Sequence, residues 1–224
     1  MRYIRFCILF VVFGLAFFSC KKETELPVDM GYKYFPVNTG HWAIYNVDSI
    51  SYNDFTGAID SFHFQIKEFV ESVFVDNSGA ETQRLECYYR PNDTSNWVIR
   101  DVWAENLTAS TAQRVEENLR LVKLVFPVTE GLQWNGNAYN MLGEQNYEYD
   151  NVHSTFAING FSFDSTLVVK QKELYTLISE DLQKEIYAAR VGLVYKRYVK
   201  LSKQPSGVIT KGIDYSYTLH SFGN

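Results

Sequence analysis

The sequence predicts an all-β, mainly antiparallel domain, and three observations carry that expectation. The chain holds sixteen Tyr, sixteen Phe and four Trp in 224 residues, and aromatic and β-branched side chains fit a pleated, half-buried surface. Apolar and polar residues alternate at period two over long stretches, and short Asn, Gly, Pro or Asp turns lead each stretch directly into the next. That is the pattern of a meander. The architecture expected is a strongly curved sheet or partly closed barrel of about eight to ten strands with one short helix.

The elements follow in order. Trp42 to Tyr52 reads as a strand and is turned at Asn53, Asp54 and Gly57. Phe62, Phe64, Ile66, Val70 and Phe74 then share one face, with a phase slip near Glu68 and Phe69 of the kind a bulge makes. Asn77-Ser78-Gly79 closes that hairpin, Leu85, Cys87 and Tyr89 share the next face, and Pro91-Asn92-Asp93 turns the chain again. Trp97, Ile99 and Trp103 share a face in the following strand, with Asp101 among them. Val115, Leu119 and Val122 also fit a helical stripe, but Leu119 to Phe126 is β-rich and stops at a proline, which favours a strand. Trp134 to Asn140 reads as a loop, and Tyr147 to Ile158 with Ser165 to Lys172 as a hairpin about Asn159-Gly160. Ser179 to Arg190 is acidic first and basic last, as the helix macrodipole prefers, so the helix is expected there. The end alternates cleanly: Val191, Leu193, Tyr195, Arg197, Val199 and Leu201 on one face, then Ile213, Tyr215, Tyr217 and Leu219 after a turn at Pro205-Ser206-Gly207.

Residues 1–19 stand apart. Arg2 and Arg5 precede an unbroken apolar run from Phe6 to Phe18, and Ser19-Cys20 meets an abrupt Lys21-Lys22-Glu23. Thirteen residues reach only about 20 Å as a helix against a hydrocarbon core of about 30 Å, so a secretory signal is favoured over a membrane span. The Phe-Phe-Ser-Cys ending resembles the lipobox of bacterial lipoproteins, whose looser forms occur in Bacteroidota. That resemblance implies cleavage before Cys20, acylation of its thiol, and attachment to the outer membrane; the alternative is an ordinary signal peptide cut near Ser19. On this reading residues 1–19 are the signal, 20–31 a lipidated tether and 32–224 a single β domain. Glu23 and Glu25 weakly resemble a surface-display signal, which leaves the periplasmic face and the cell surface both open. The opening Tyr34-Phe35-Pro36 with Gly40 and Trp42, and the closing Tyr187-Ala188 with Val191-Gly192-Leu193-Val194-Tyr195, resemble segments of Bacteroidota lipoproteins of unassigned function. The opening is echoed at Phe126-Pro127 with Gly131 and Trp134, which suits a reused turn better than a duplication.

Without the signal the chain carries 19 Lys and Arg against 26 Asp and Glu, which argues against nucleic acid as a partner. Cys87 has no disulfide partner beyond the signal and Cys20, and at period two with Leu85 it reads as a buried hydrophobe. His41, His63, His153 and His220 show no metal-ligand spacing, and neither a nucleophile elbow nor a phosphate or dinucleotide loop is present. No metal or cofactor is expected. Glu116-Glu117, Asp101 with Glu105, and Glu180-Asp181 offer carboxylate pairs, but a glycosidase needs two that converge across a cleft. Trp134, Asn135, Asn137 and Tyr139 combine stacking rings with amides and form the candidate ligand site; a plug of the core is the alternative for Trp134. Asp48-Ser49-Ile50 and Asp164-Ser165-Thr166 resemble O-glycosylation patterns of exported Bacteroidota proteins.

Three functions are therefore in view. The first is a non-catalytic, membrane-anchored module for a hydrophobic or glycan ligand or an envelope-protein partner. The second is a structural or assembly lipoprotein with a packed core and no small-molecule site, and the third is a hydrolase. An apolar cavity of some hundreds of Å³ separates the first from the second.

Overall fold

The computed structural model describes residues 28–224. The signal, Cys20, Glu23 and Glu25 lie outside the described residues. From residue 28 onward the chain forms β1 (Trp42–Tyr52), β2 (Ile59–Val75), β3 (Glu81–Arg90), β4 (Val98–Leu107), β5 (Thr111–Glu116) and β6 (Leu119–Val125). There follow β7 (Gln133–Asn135), β8 (Asn146–Ile158), β9 (Phe161–Tyr175), β10 (Ser179–Ala188), β11 (Gly192–Lys203) and β12 (Ile209–Gly223).

All twelve strands join one antiparallel sheet in the order β6-β5-β4-β3-β2-β1-β12-β11-β10-β9-β8-β7. Two meanders are thus sewn together where the first strand pairs with the last, Trp42 opposite Gly223 and Val47 opposite Tyr217. The sheet's two edges, β6 and β7, are neighbours in sequence, and the sheet curls until they meet. The Val122 amide donates to Gly136 O at 2.9 Å, and the Trp134 indole donates to Val122 O at 2.9 Å. Tyr149 OH donates to Val125 O at 2.8 Å and accepts from the Val125 amide at 2.9 Å. The result is a barrel closed along its seam by side chains more than by a ladder.

Alternating connections define the two ends. At one end the turn Tyr32–Tyr34 inserts Tyr34 and Phe35 as a plug, with Tyr34 OH 2.7 Å from both His153 Nδ1 and Ser165 Oγ. Met30 O accepts from the Val128 amide there. Gly31 sits at φ 85° with Val128 only 2.6 Å from where a Cβ would be, so no other residue fits. Above the plug lies an apolar core of Tyr45, Ile66, Leu124, Tyr149, Leu167 and Leu219, all nearly solvent-free. The hairpins β1–β2, β3–β4, β5–β6, β9–β10 and β11–β12 turn at the other end.

Three expectations are corrected. Ser179 to Arg190 is not a helix but β10, paired on both sides to β9 and β11; two full ladders outweigh the helix propensity of its Glu, Lys and Leu. Among the described residues the 3₁₀ turn Tyr32–Tyr34 is the one helical element. Among the described residues the strands number twelve because Glu117-Asn118 makes a tight turn with both residues at positive φ, splitting β5 from β6, and because Gln133–Asn135 of the expected loop pairs with β8. Finally, Lys196 and Tyr198, not Tyr195 and Arg197, share the core face of β11. A register shift between Ile186 and Tyr187 against β11 changes the phase after Leu193.

Gly136 tests the seam. A Cβ there would lie 2.3 Å from the Tyr147 ring, so Gly136→Ala must displace either the ring or the carbonyl that Val122 uses. Chemical denaturation should show a loss of about 1–3 kcal/mol, whereas Gly143→Ala, with open space around it, should leave the midpoint unchanged.

Candidate functional site

Below the apolar core, charged side chains fill the barrel where β2, β4, β5, β6, β10 and β11 face one another. Arg114 is the hub of one half. Its Nε and Nη2 lie 2.7 and 2.6 Å from Glu105 Oε1, and Nη1 and Nη2 lie 3.2 and 3.1 Å from the two oxygens of Glu68. Lys123 is the hub of the other half, 2.7 Å from Glu185 Oε1 and 3.7 Å from Glu116, with Lys196 3.8 Å from Glu185. Tyr187 OH donates to Glu185 Oε2 at 2.6 Å. Glu116, 4.0 Å from Arg114, joins the halves.

Burial and charge compete at each group. Burial raises the Glu185 carboxyl, but Lys123 and Lys196 outweigh it and hold it at about 2. For Glu105 burial wins over Arg114, and Glu68 adds to the rise, so its proton is held more firmly than usual. Burial lowers the Lys196 ammonium, yet Glu116 and Glu185 more than reverse that. Burial, then Glu185, pushes the Tyr187 phenol far up. Cys87 is buried on the same side of the barrel, and burial raises its thiol above the reactive range.

Between this layer and the plug is a void of about 30 Å³, bordered by His41, Tyr45, Glu68, Glu105, Arg114 and Tyr187. It has room for one or two waters and falls far short of the ~300 Å³ at which ligand pockets begin. Glu68 and Glu105 do converge, but on one guanidinium and behind the plug, where no substrate bond can sit. The carboxylate pairs expected from the sequence are apart: Asp101 is held by Arg100 at 2.6 Å, Glu116 turns inward, Glu117 outward, and Glu180 meets Lys203 at 3.2 Å. Among the described residues no group of His, Cys, Asp and Glu could hold a metal ion. His41 bonds Asn224 and Val191 O, His63 meets Asp48, and His153 meets Tyr34.

The four residues of the expected ligand site do come together, at the seam. Trp134 packs on Tyr149 with ring centroids 4.5 Å apart while its N–H serves Val122 O. Asn135 Oδ1 accepts from the amides of Asn137 and Gln145, and Asn137 Nδ2 donates to Gly143 O at 2.8 Å. Of the four, Tyr139 alone offers its ring to solvent, beside exposed Met141 and Leu142. Ser165, one of the two glycosylation candidates, is engaged by Tyr34, and Ser49 is half-buried.

Sequence reasoning missed the charged layer, and a signal for it existed. Glu68 sits on even phase with Ile66 and Val70, so the interruption near Glu68 was a charge facing inward. The register shift falls at Glu71, between Val70 and Ser72. Outside the barrel, a groove of about 480 Å³ runs along β4 beside Arg100, Asp101, Trp103 and Glu117. A second, of about 420 Å³, lies across Gln145, Glu148, Lys170 and Lys172.

A twelve-stranded antiparallel sheet, rolled nearly shut around packed charge, places this chain in the all-β, barrel-like class. No family model and no curated protein matches it. Among solved structures it is similar to a Bacteroides fragilis protein with a YmcC-like fold, at 10% identity over 85% of this chain and 98% of that one, with a TM-score of 0.44.

Acid should act through Glu185. Its folded pKa near 2 lies below its ordinary 4.5, so its stabilisation is complete above pH 4.5 and declines as pH falls from 4.5 toward 2. Glu105, shifted the other way, opposes this, because its contribution is lost as pH rises above 4.5. Lys123→Met should cost about 3–5 kcal/mol at neutral pH by leaving Glu185 without its nearest cation. In urea titrations, Lys123→Met/Glu185→Leu should recover part of that loss and be less acid-sensitive than the parent between pH 4.5 and 2.

Proposed function

We propose that the chain is an exported, lipid-anchored, non-catalytic protein of the bacterial outer membrane that works through its surface, docking an envelope partner at the hairpin end. Supporting this is the contrast between a water-sized interior and apolar side chains at three adjacent hairpin tips. Phe55 is 95% exposed, Leu177 78%, Ile178 60% and Val208 58%. These tips belong to β1–β2, β9–β10 and β11–β12, which are contiguous in the sheet. Single exposed apolar residues need no explanation, but a cluster on neighbouring tips marks a contact surface. Covering each such side chain is worth about 1.5–3 kcal/mol.

The place of the plug supports one orientation. The described chain enters at the plugged end, eight residues after Cys20, a span of about 27 Å when extended. Acylation of Cys20 would tie that end to the bilayer and turn the tips away from it. The packed interior favours an assembly or docking role over carriage of a hydrophobic ligand, since an acyl chain has no space beside Arg114 and Lys123.

Photo-crosslinking residues placed at Phe55 and Leu177 of the full chain, in cells, test the docking end, with Ser78 at the plugged end as the control. Discrete adducts from the first two positions and not the third are expected. Adducts equal at all three, or at none, would remove the proposal. Cys20→Ala should move the chain out of the membrane fraction, and retention there would end the anchoring half.

A further inference from the structure

β4 carries an edge that the sheet leaves open. On one side β3 pairs with it from Val98 to Glu105. On the other, β5 covers only Ala104 to Leu107. Among the described residues Val98–Trp103 therefore has no strand on that side, and Arg100 to Trp103 border the groove of about 480 Å³, which extends across the outer face to Arg84 and Phe74. Natural edges are usually blunted by charge, proline or shortness because their free amides and carbonyls recruit other strands. Here six residues, Val-Ile-Arg-Asp-Val-Trp, are free, with Val98 63% exposed, Ile99 49% and Val102 44%.

The faces of this edge are set by a bulge. Val98 stands opposite Tyr89, Asp101 opposite Cys87 and Trp103 opposite Leu85, all on the core face. Ile99 stands opposite Tyr88 and Val102 opposite Glu86, on the outer face. Arg100 is the extra residue that shifts the phase. In a regular strand positions 99 and 102 would point to opposite faces and could never be paired across a two-fold axis. With the bulge they point the same way.

We propose that two copies of this chain pair through these edges, antiparallel, about a two-fold axis between Arg100 and Asp101. The axis sets Ile99 against Val102 of the second copy on the outer face and Val98 against Trp103 on the core face. At the centre Arg100 of each copy meets Asp101 of the other, extending the ion pair that each makes within its own chain at 2.6 Å. The contact is isologous, closed and self-complementary in both charge and apolar matching. Trp97 stacks beneath the Arg90 guanidinium, 4.4 Å from ring centroid to Cζ, so the chain leaves the strand line just before the paired segment. Six residues a side place the contact below about 1,200 Å², in the weak, concentration-dependent class. The pairing goes beyond the docking function and does not rest on it. The axis turns the second copy end for end, so two tethered copies pair on one bilayer only with their barrels lying along its surface, an arrangement distinct from the tips-outward one proposed for the single copy.

Register-specific disulfides test this in the full chain in detergent, with the parent chain as background for Cys20 and Cys87. Within one copy positions 99 and 102 are too far apart for a disulfide, which needs Cα atoms within about 7 Å. Ile99→Cys/Val102→Cys should therefore give a disulfide-linked dimer under mild oxidation, and each single variant should not. By sedimentation, Arg100→Asp should lose the dimer, since like charges then face one another, and Arg100→Asp/Asp101→Arg should regain it. A double-cysteine chain that stays monomeric overturns the pairing. So do single variants that cross-link equally well, an Arg100→Asp dimer as strong as the parent's, or a charge swap that recovers nothing.

Discussion

The contact between Lys123 and Glu185 is the constraint on which this barrel depends. β6 is an edge of the sheet, tied to the opposite edge by the Val122 amide and the side chains of Trp134 and Tyr149. Lys123 reaches inward from that edge and meets Glu185 of β10 at 2.7 Å, across the interior. A buried pair of this kind gains little over an apolar one of equal volume, because desolvation offsets most of the attraction. Its geometric effect is larger. A buried ammonium set between Glu185 and Glu116 cannot slide by a residue without stranding a charge, so the register of β6 at the seam is held where packing alone would leave it loose.

The same layer decides what the barrel can contain. Barrels of comparable size often enclose a ligand, but here Arg114, Lys123, Lys196 and their carboxylates occupy the middle of the interior, and Tyr34 and Phe35 stop one end. The void beside Arg114 is water-sized and bordered by apolar as well as charged side chains. On the outside stand the hairpin tips, the open edge of β4 and the shallow grooves.

Much of the fold was legible in the sequence because it is written in period two. The hairpins at Asn77-Ser78-Gly79 and Asn159-Gly160 and the final pair of strands follow directly from alternation and turn residues. The failures share one physical cause. Bulges at Glu71, at Arg100 and in β11 after Leu193 shift the phase by one residue, and alternation alone cannot say which face then turns inward. Ser179 to Arg190 misled for another reason: its composition suits a helix, but its place between two strands was invisible until the topology was known. Of the expected site, the proximity of Trp134, Asn135 and Asn137 was legible, while the bracing of the seam depends on β6, whose Val125 lies 24 residues before its partner Tyr149 with no local signal that the two strands meet.

The pairing of β1 with β12 has a consequence for how the molecule comes into being. Trp42 finds its partner in Gly223, nearly the full length of the chain away, so the central sheet cannot be completed until the last strand has emerged. Contacts this distant in sequence make for slow assembly. Until then β1 and β11 each present a long naked flank, and a nascent or prematurely terminated chain would be prone to clump through them. A helper that shields those flanks during biogenesis would be of most use in that interval.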